Sequence, residues 1–120
     1  MKRDMELVRR ILLDIADGKV KDRFSKQNAE DQKYIYHLRI MKQAGLVVFN
    51  EDEDMTETIN IDGLELTWSG NDYLDAISND NVWNKTKEHI KQKGLGLGDL
   101  TFDVLKDLAI RQARMLIGLE

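Results

Sequence analysis

Histidine and serine are the side chains of this sequence most expected to carry acid–base, nucleophilic or metal chemistry. His37 and His89 are the only histidines among 120 residues, and the chain has no cysteine. Zinc sites are built mainly from these two residue types, so a site here would need carboxylates gathered from distant segments. Ser25, Ser69 and Ser78 have no neighbouring histidine to serve as a general base. We therefore predict that the protein is not an enzyme and holds no metal or cofactor, with His37 as a half-buried packing residue.

Two further segments have the composition of a ligand-binding loop but the wrong spacing. The acidic run from Asn50 to Asp54 begins like a calcium loop, which needs Gly at its sixth position and Glu at its twelfth. Those positions hold Met55 and Ile61. The glycines of segment Gly94–Gly98 do not have the G-x-G-x-x-G spacing of a dinucleotide loop. We predict a solvated turn for the acidic run and a flexible joint for the glycine segment.

The charge of the chain is uneven along its length. The formal net charge is −4, yet residues 1–50 carry 11 Lys and Arg against 7 Asp and Glu, and residues 51–80 carry 10 acidic residues and no basic one. Such a distribution bears on which partners a protein attracts. No apolar run approaches the roughly 20 residues that cross a bilayer, and the charged N-terminus has no signal-peptide core. We expect a cytoplasmic protein without membrane contact.

Apolar periodicity predicts the helices that must position these groups. A first helix has apolar residues at three- and four-residue steps and ends at Asp17-Gly18. A second runs from an N-cap at Asn28 to Ala44-Gly45, with residues 19–27 before it as a connector or short strand. The remaining helices are predicted from a Ser69 cap to Ile77, from an Asp80 or Asn81 cap to about Lys91, and from a Thr101 cap onward.

Asp62-Gly63 is the clearest turn signal in the sequence. Both residue types tolerate the positive φ that a two-residue type I′ hairpin turn requires. A turn there would put Asn60 and Glu65 on one face of the hairpin and four apolar side chains on the other, buried face. These four are Ile59, Ile61, Leu64 and Leu66. We also predict a short strand over residues 46–49 and core positions for Trp68 and Trp83, because few other side chains bury comparable area.

The order of elements is helix, connector, helix, strand, hairpin and further helices. We predict a single α+β domain over residues 1–120. Residues 1–78 would form a winged helix-turn-helix-like core whose wing is the hairpin, and residues 80–120 a C-terminal helical extension. The helix that normally precedes the recognition helix would have to lie in residues 19–32, where the apolar pattern is weak. The pattern leaves open whether that helix forms.

Five segments share residues with a known family and follow its order. They are Met1–Leu12, Tyr36-His37-Leu38 running to Ala44-Gly45-Leu46, Leu66–Ile77, Val82–Lys85 and Leu100–Ala109. In these segments the chain resembles the bacterial and phage family called domain of unknown function 2513. The resemblance implies a winged-helix-like fold and a frequent occurrence in prophages and other mobile elements. It implies no activity and supplies no functional residues.

The helix from Asn28 to Ala44 suggests one hypothesis, a DNA-binding regulator or accessory protein of a bacterial chromosome, prophage or mobile element. In a winged helix this element enters the major groove. Its candidate DNA contacts are Lys33, Tyr36, His37, Arg39, Lys42 and Gln43. An ordinary solvated helix face explains the same residues equally well. The acidic wing argues against DNA, because phosphates attract lysine and arginine.

The second hypothesis is a non-catalytic protein-interaction module. Its contact surface would be either the C-terminal helix or the acidic hairpin, at Glu51, Asp52, Glu53 and Asp54. The apolar residues of the C-terminal helix cover more than one face, which is wider than a surface helix needs. Ile110 and Ile117 would stay exposed, and we expect a two-fold homodimer to cover them. The alternative is that the domain itself buries this helix on all sides.

Overall fold

The computed structural model describes residues 1–118, and over that range the chain forms five α-helices, three strands and one 3₁₀ turn. The elements are α1 (Met5–Ala16), β1 (Arg23–Ser25), α2 (Ala29–Gln43), β2 (Val47–Glu53), β3 (Thr58–Leu66), α3 (Trp68–Ile77), α4 (Asp80–Gln92), a 3₁₀ turn (Leu97–Asp99) and α5 (Phe102–Leu116). The strand order is β1-β3-β2, with both pairings antiparallel. The predicted α+β class is confirmed, and the arrangement is compatible with a winged helix. No helix forms between α1 and α2, where residues 19–28 hold β1 and turns.

Local capping chemistry sets the helix ends. The predicted caps of α2 and α5 are confirmed, since the Asn28 side chain accepts from the Asp31 amide at 3.1 Å and the Thr101 hydroxyl from the Val104 amide at 3.2 Å. The predicted cap of α3 is wrong. Thr67, not Ser69, accepts from the Gly70 amide at 3.0 Å, because Thr67 is the extended residue directly after β3. Asn79 likewise caps α4, so neither predicted cap, Asp80 or Asn81, is correct.

The hairpin turn lies at residues 54–57 rather than at Asp62-Gly63. The Asp54 amide donates to the Thr58 carbonyl at 3.0 Å, and the Glu57 amide donates to the Asp54 carbonyl at 3.2 Å. The predicted turn at Asp62-Gly63 is therefore wrong, since β3 runs through both residues. The predicted strand is also too short. It continues as β2 to Glu53, so most of the acidic run is strand rather than turn.

A β-bulge occupies the place of the predicted turn. Val48 pairs with Glu65 and Asn50 pairs with Asp62, so Phe49 alone lies opposite Gly63 and Leu64. Gly63 takes a φ of +66°, which residues with side chains rarely adopt.

The extra residue resets the alternation of β3, and the four predicted apolar side chains still share the core side of the sheet. Ile59 and Ile61 are buried, whereas Leu64 and Leu66 are half-buried and pack against the core.

One continuous core joins the helices to the sheet, and it treats the two tryptophans differently. Trp83 on α4 is 2% exposed, and its indole N–H donates to the Glu6 carboxylate of α1 at 3.2 Å. Trp68 is 86% exposed, so its predicted core position is wrong. It opens α3 on the side opposite the buried residues of that helix, Gly70, Tyr73, Leu74 and Ile77.

The junction between β3 and α3 is held by a close backbone approach. The Thr67 amide donates to the Leu46 carbonyl at 3.0 Å, and the Thr67 hydroxyl donates to the Gly45 carbonyl at 2.5 Å. A Cβ atom on Gly70 would lie 1.9 Å from the Leu46 carbonyl oxygen. Only glycine therefore fits at this position with the backbones where they are.

The glycine segment before α5 contains defined structure rather than a simple joint. Gly94 takes a φ of +76° after the end of α4, and Gly96 precedes the 3₁₀ turn with its amide donating to the Asp99 carboxylate at 2.8 Å. Leu97 and Leu100 pack against the core. These contacts direct α5 back onto α3 and α4.

Candidate interaction surfaces

The basic side chains predicted for DNA contact on α2 are engaged within the chain. Arg39 makes a two-point contact with Glu51 of β2, with Nε 3.1 Å from Oε2 and Nη2 2.8 Å from Oε1. Such a fork geometry fixes both side chains more firmly than a single ion pair. The acidic hairpin and the basic helix predicted from sequence as separate surfaces therefore partly neutralise one another.

Lys33 and Lys42 also have acceptors within the chain, a carboxylate for Lys33 and a backbone carbonyl for Lys42. The Lys33 ammonium lies 2.9 Å from the Asp4 carboxylate, and this hydrogen bond lowers the pKa of Asp4 below its usual value. The Lys42 ammonium donates to the Phe49 carbonyl at 2.8 Å and lies 4.6 Å from the centroid of the Phe49 ring. Both lysines are exposed, yet each has an acceptor in its own chain.

His37 is fully buried, so neither its predicted half-burial nor its proposed place among surface DNA contacts is correct. Its Nε2 accepts from the Asp4 backbone amide at 2.8 Å, and its Nδ1 lies 2.7 Å from the Lys33 carbonyl. A neutral ring protonated on Nδ1 satisfies both contacts. The residue ties α2 to the first turn of α1. Tyr36 beside it is half-buried and Gln43 is exposed.

The four acidic side chains of the hairpin that were predicted as contacts differ in their ion-pair and hydrogen-bond partners. Glu51 pairs with Arg39 as described, and Glu53 lies 2.6 Å from the Lys26 ammonium. Asp54 accepts hydrogen bonds from the amide and the hydroxyl of Thr56, which together with weaker bonds lower its pKa to about 2. Asp52 alone is exposed without an ion-pair partner among residues 1–118.

Asp52 belongs to an open surface that we call the hairpin face. Directly paired residues of two strands share a face, and the pairs Val48–Glu65, Asn50–Asp62 and Asp52–Asn60 lie on the side away from the core. These six residues include three carboxylates and no cation. Arg23 of β1 pairs with Asn60 at the edge of this face and lies 4.0 Å from the Asp54 carboxylate.

A second open surface lies between α3 and α5, and we call it the α3–α5 groove. Its volume is about 400 Å³, and it is lined by Asp72, Asp75, Ala76, Lys106, Ile110, Ala113, Arg114 and Ile117. The predicted exposure of its two isoleucines is confirmed, at 40% for Ile110 and 72% for Ile117. Apolar residues thus reach solvent in a concave site.

A larger groove between α1 and α2, of about 830 Å³, is lined mostly by groups that are already paired. Lys21 lies 2.5 Å from the Asp31 carboxylate, and the Tyr34 hydroxyl donates to Asp14 at 3.2 Å. In the described part of the chain, no three histidine or carboxylate side chains are gathered so as to hold a metal ion. No helix within residues 1–118 combines the length and apolar character needed to span a bilayer.

The family model described as Hypothetical protein (DUF2513) matches residues 2–96 of the chain. The chain is a member of the DUF2513 family. An "Uncharacterized protein" of Haemophilus influenzae is 37% identical over 115 residues, which cover 91% of this chain and 92% of the relative. No solved structure matches the sequence. The matched range of this DUF2513 protein covers α1 to α4, so the α5 wall of the α3–α5 groove lies outside it.

Sequence reasoning missed the hairpin face of the DUF2513 protein because it misplaced the turn. With a turn at Asp62-Gly63, Asp62 would lie at a tip and Asp52 in a separate loop. The available signal was the three-residue step from Ile61 to Leu64, which a bulge also explains. The partners of Arg39 and Lys26 could not be found locally, because they come from another element.

Proposed function

We propose that this DUF2513 protein is a non-catalytic protein-binding module that presents the hairpin face to a basic surface of its partner. One contrast carries the proposal. The predicted DNA-contacting cations of α2 are engaged by acceptors of their own chain, whereas Asp52, Asp62 and Glu65 have no ion-pair partner among residues 1–118. The unpaired charge that the hairpin face offers to a partner is therefore negative.

Electrostatics disfavours nucleic acid at this surface. Proteins bind DNA largely by neutralising phosphates with lysine and arginine and releasing counterions. Arg39 would have to leave Glu51, and Lys33 would have to leave Asp4, before either could do so. The three carboxylates of the hairpin face would meanwhile repel the phosphates, but they would attract lysine and arginine side chains of a protein.

The test compares two probes, a lysine- and arginine-rich peptide and a fluorescent DNA duplex, each titrated at two salt concentrations. The triple variant D52N/D62N/E65Q neutralises the hairpin face. The variant E88Q/D103N/D107N removes the same charge from exposed positions of α4 and α5 and serves as the matched control. We expect the peptide to bind the native protein and the control, and to bind the hairpin variant at least about tenfold more weakly.

Equal weakening in both variants would contradict the proposal, because it would mean that only net charge matters. DNA binding with a steep salt dependence would also contradict it and would favour the second candidate, a winged-helix DNA-binding regulator. The arrangement that supports this second candidate is α2 leading directly into the β2–β3 hairpin. For either candidate we propose a cytoplasmic protein encoded by a bacterial chromosome, prophage or mobile element.

A further inference from the structure

The α3–α5 groove combines exposed apolar side chains with acidic residues on one helix and basic residues on the other. Its acidic bank is Asp72 and Asp75 of α3, both exposed. Its basic bank is Lys106 and Arg114 of α5. The exposed Ile110 and Ile117 line the groove on the α5 side, together with the basic bank. Exposed apolar surface inside a charged rim is typical of interaction sites.

We propose that the α3–α5 groove is a self-association site whose occupant is a second copy of this chain. A partner of one charge sign would be attracted by one bank and repelled by the other. A second copy carries both signs at the same separation, so it can match both banks at once. The same contact covers the exposed isoleucines of both copies, which an isologous dimer does with one surface.

The charge order also selects the geometry of the pair. A two-fold axis running along the groove places the acidic bank of each copy opposite the basic bank of the other. An axis across the groove would instead place like charges together, which costs affinity. The paired arrangement therefore has the two α5 helices running in the same direction on either side of the axis. This dimer does not depend on the hairpin face, which lies on other elements.

The experiment reverses each bank separately in the full-length protein. The variant D72K/D75K has two basic banks, and the variant K106E/R114E has two acidic banks. Sedimentation velocity over a range of micromolar concentrations measures association, and far-ultraviolet circular dichroism confirms that each variant is folded. We expect the native protein to dimerise and each variant alone to dissociate at least about tenfold more readily.

Mixing the two variants gives the decisive measurement. In a heterodimer every acidic bank again faces a basic bank, so we expect the mixture to dimerise as the native protein does. The variant K85E/K91E, reversed on exposed positions of α4 outside the groove, should dimerise like the native protein.

A monomeric native protein would overturn the proposal. So would a dimer that is insensitive to both reversals, or one that the mixture fails to restore.

Discussion

Strand β3 is held by different physical forces at its two ends. Just after its C-terminal end, Thr67 donates hydrogen bonds to the Leu46 and Gly45 carbonyls, and the backbones approach so closely that only glycine fits at position 70. At its N-terminal end, the exposed turn is held by hydrogen bonds to the ionised Asp54 carboxylate. The first contact depends on shape and is insensitive to pH, whereas the second depends on charge. We therefore expect substitutions at the junction to destabilise the fold more than those at the turn, and only the turn to respond to pH.

The largest effect is expected from Gly70→Ala at the junction. The new Cβ would lie 1.9 Å from the Leu46 carbonyl oxygen, so one of the two backbones must move. Overpacking of this severity costs about 3 kcal/mol, which outweighs the roughly 1 kcal/mol that alanine gains in a helix. Urea denaturation measures the free energy of unfolding. Ser69→Ala, at the exposed neighbouring position, is the control, and an equal midpoint for both variants would refute the steric interpretation.

Gly63→Val should destabilise the fold less, by about 1–2 kcal/mol, because only the backbone conformation opposes it. Gly63 has a φ of +66°. The atom nearest to a Cβ added there would be the side-chain amide nitrogen of Asn50, at 4.0 Å. Gly63→Asn should cost less than Gly63→Val, since asparagine tolerates positive φ. Thermal unfolding of the two variants tests the bulge. Equal melting temperatures would mean that the left-handed conformation is not required.

Asp54→Asn should have a smaller effect that depends on pH. The folded pKa of Asp54 is about 2, below the ordinary value of 3.8, so its ionised form stabilises the fold above pH 3.8. This contribution is lost as pH falls through about 2. The difference in melting temperature between the native protein and the variant should therefore be constant near neutral pH and shrink between pH 3.8 and 2. Asp52→Asn is the matched control, and a constant difference throughout would contradict the assignment.

Tyr73→Phe should have the smallest effect. The Tyr73 hydroxyl is buried and has no hydrogen-bond partner among the described residues, and burial raises its pKa. Removing an unsatisfied buried hydroxyl is neutral or slightly stabilising. Tyr34→Phe is the matched comparison and should cost about 1 kcal/mol, since the Tyr34 hydroxyl donates to Asp14. A loss for Tyr73→Phe as large as for Tyr34→Phe would show that its hydroxyl is bonded.

The distance along the chain between interacting residues explains which parts of the fold could be predicted from the sequence. The N-terminal ends of α2 and α5 were predictable, because the capping residues Asn28 and Thr101 directly precede the apolar stripes of these helices. The bulge was not, because the step from Ile61 to Leu64 fits both a turn and a bulge. The choice between them depends on the position of Phe49 in the partner strand. A cap misplaced by two residues likewise concealed which side of α3 Trp68 occupies.

The candidate surfaces were predictable in residue type but not in pairing. The sequence predicts Arg39, Glu51 and Asp52 all as candidate contacts, and their net charge can be counted from it. Whether each side chain is free to contact a partner could not be read from the sequence. The pair Arg39–Glu51 joins a helix to a strand, while Asp52, next in the chain, points to the opposite side of the sheet. Local pattern carries no information on such long-range neutralisation.

The unequal burial of the two tryptophans gives the molecule two independent fluorescence reporters. Trp83, enclosed beside Glu6 and Arg9, should emit at shorter wavelength and resist a soluble quencher such as acrylamide. Trp68, which follows Glu65 closely in the chain, should emit at longer wavelength and be quenched freely. In a Trp83→Phe background, the remaining emission comes from a single site beside the end of the hairpin. The wavelength of this emission then reports when a binding partner covers that site, without an added label.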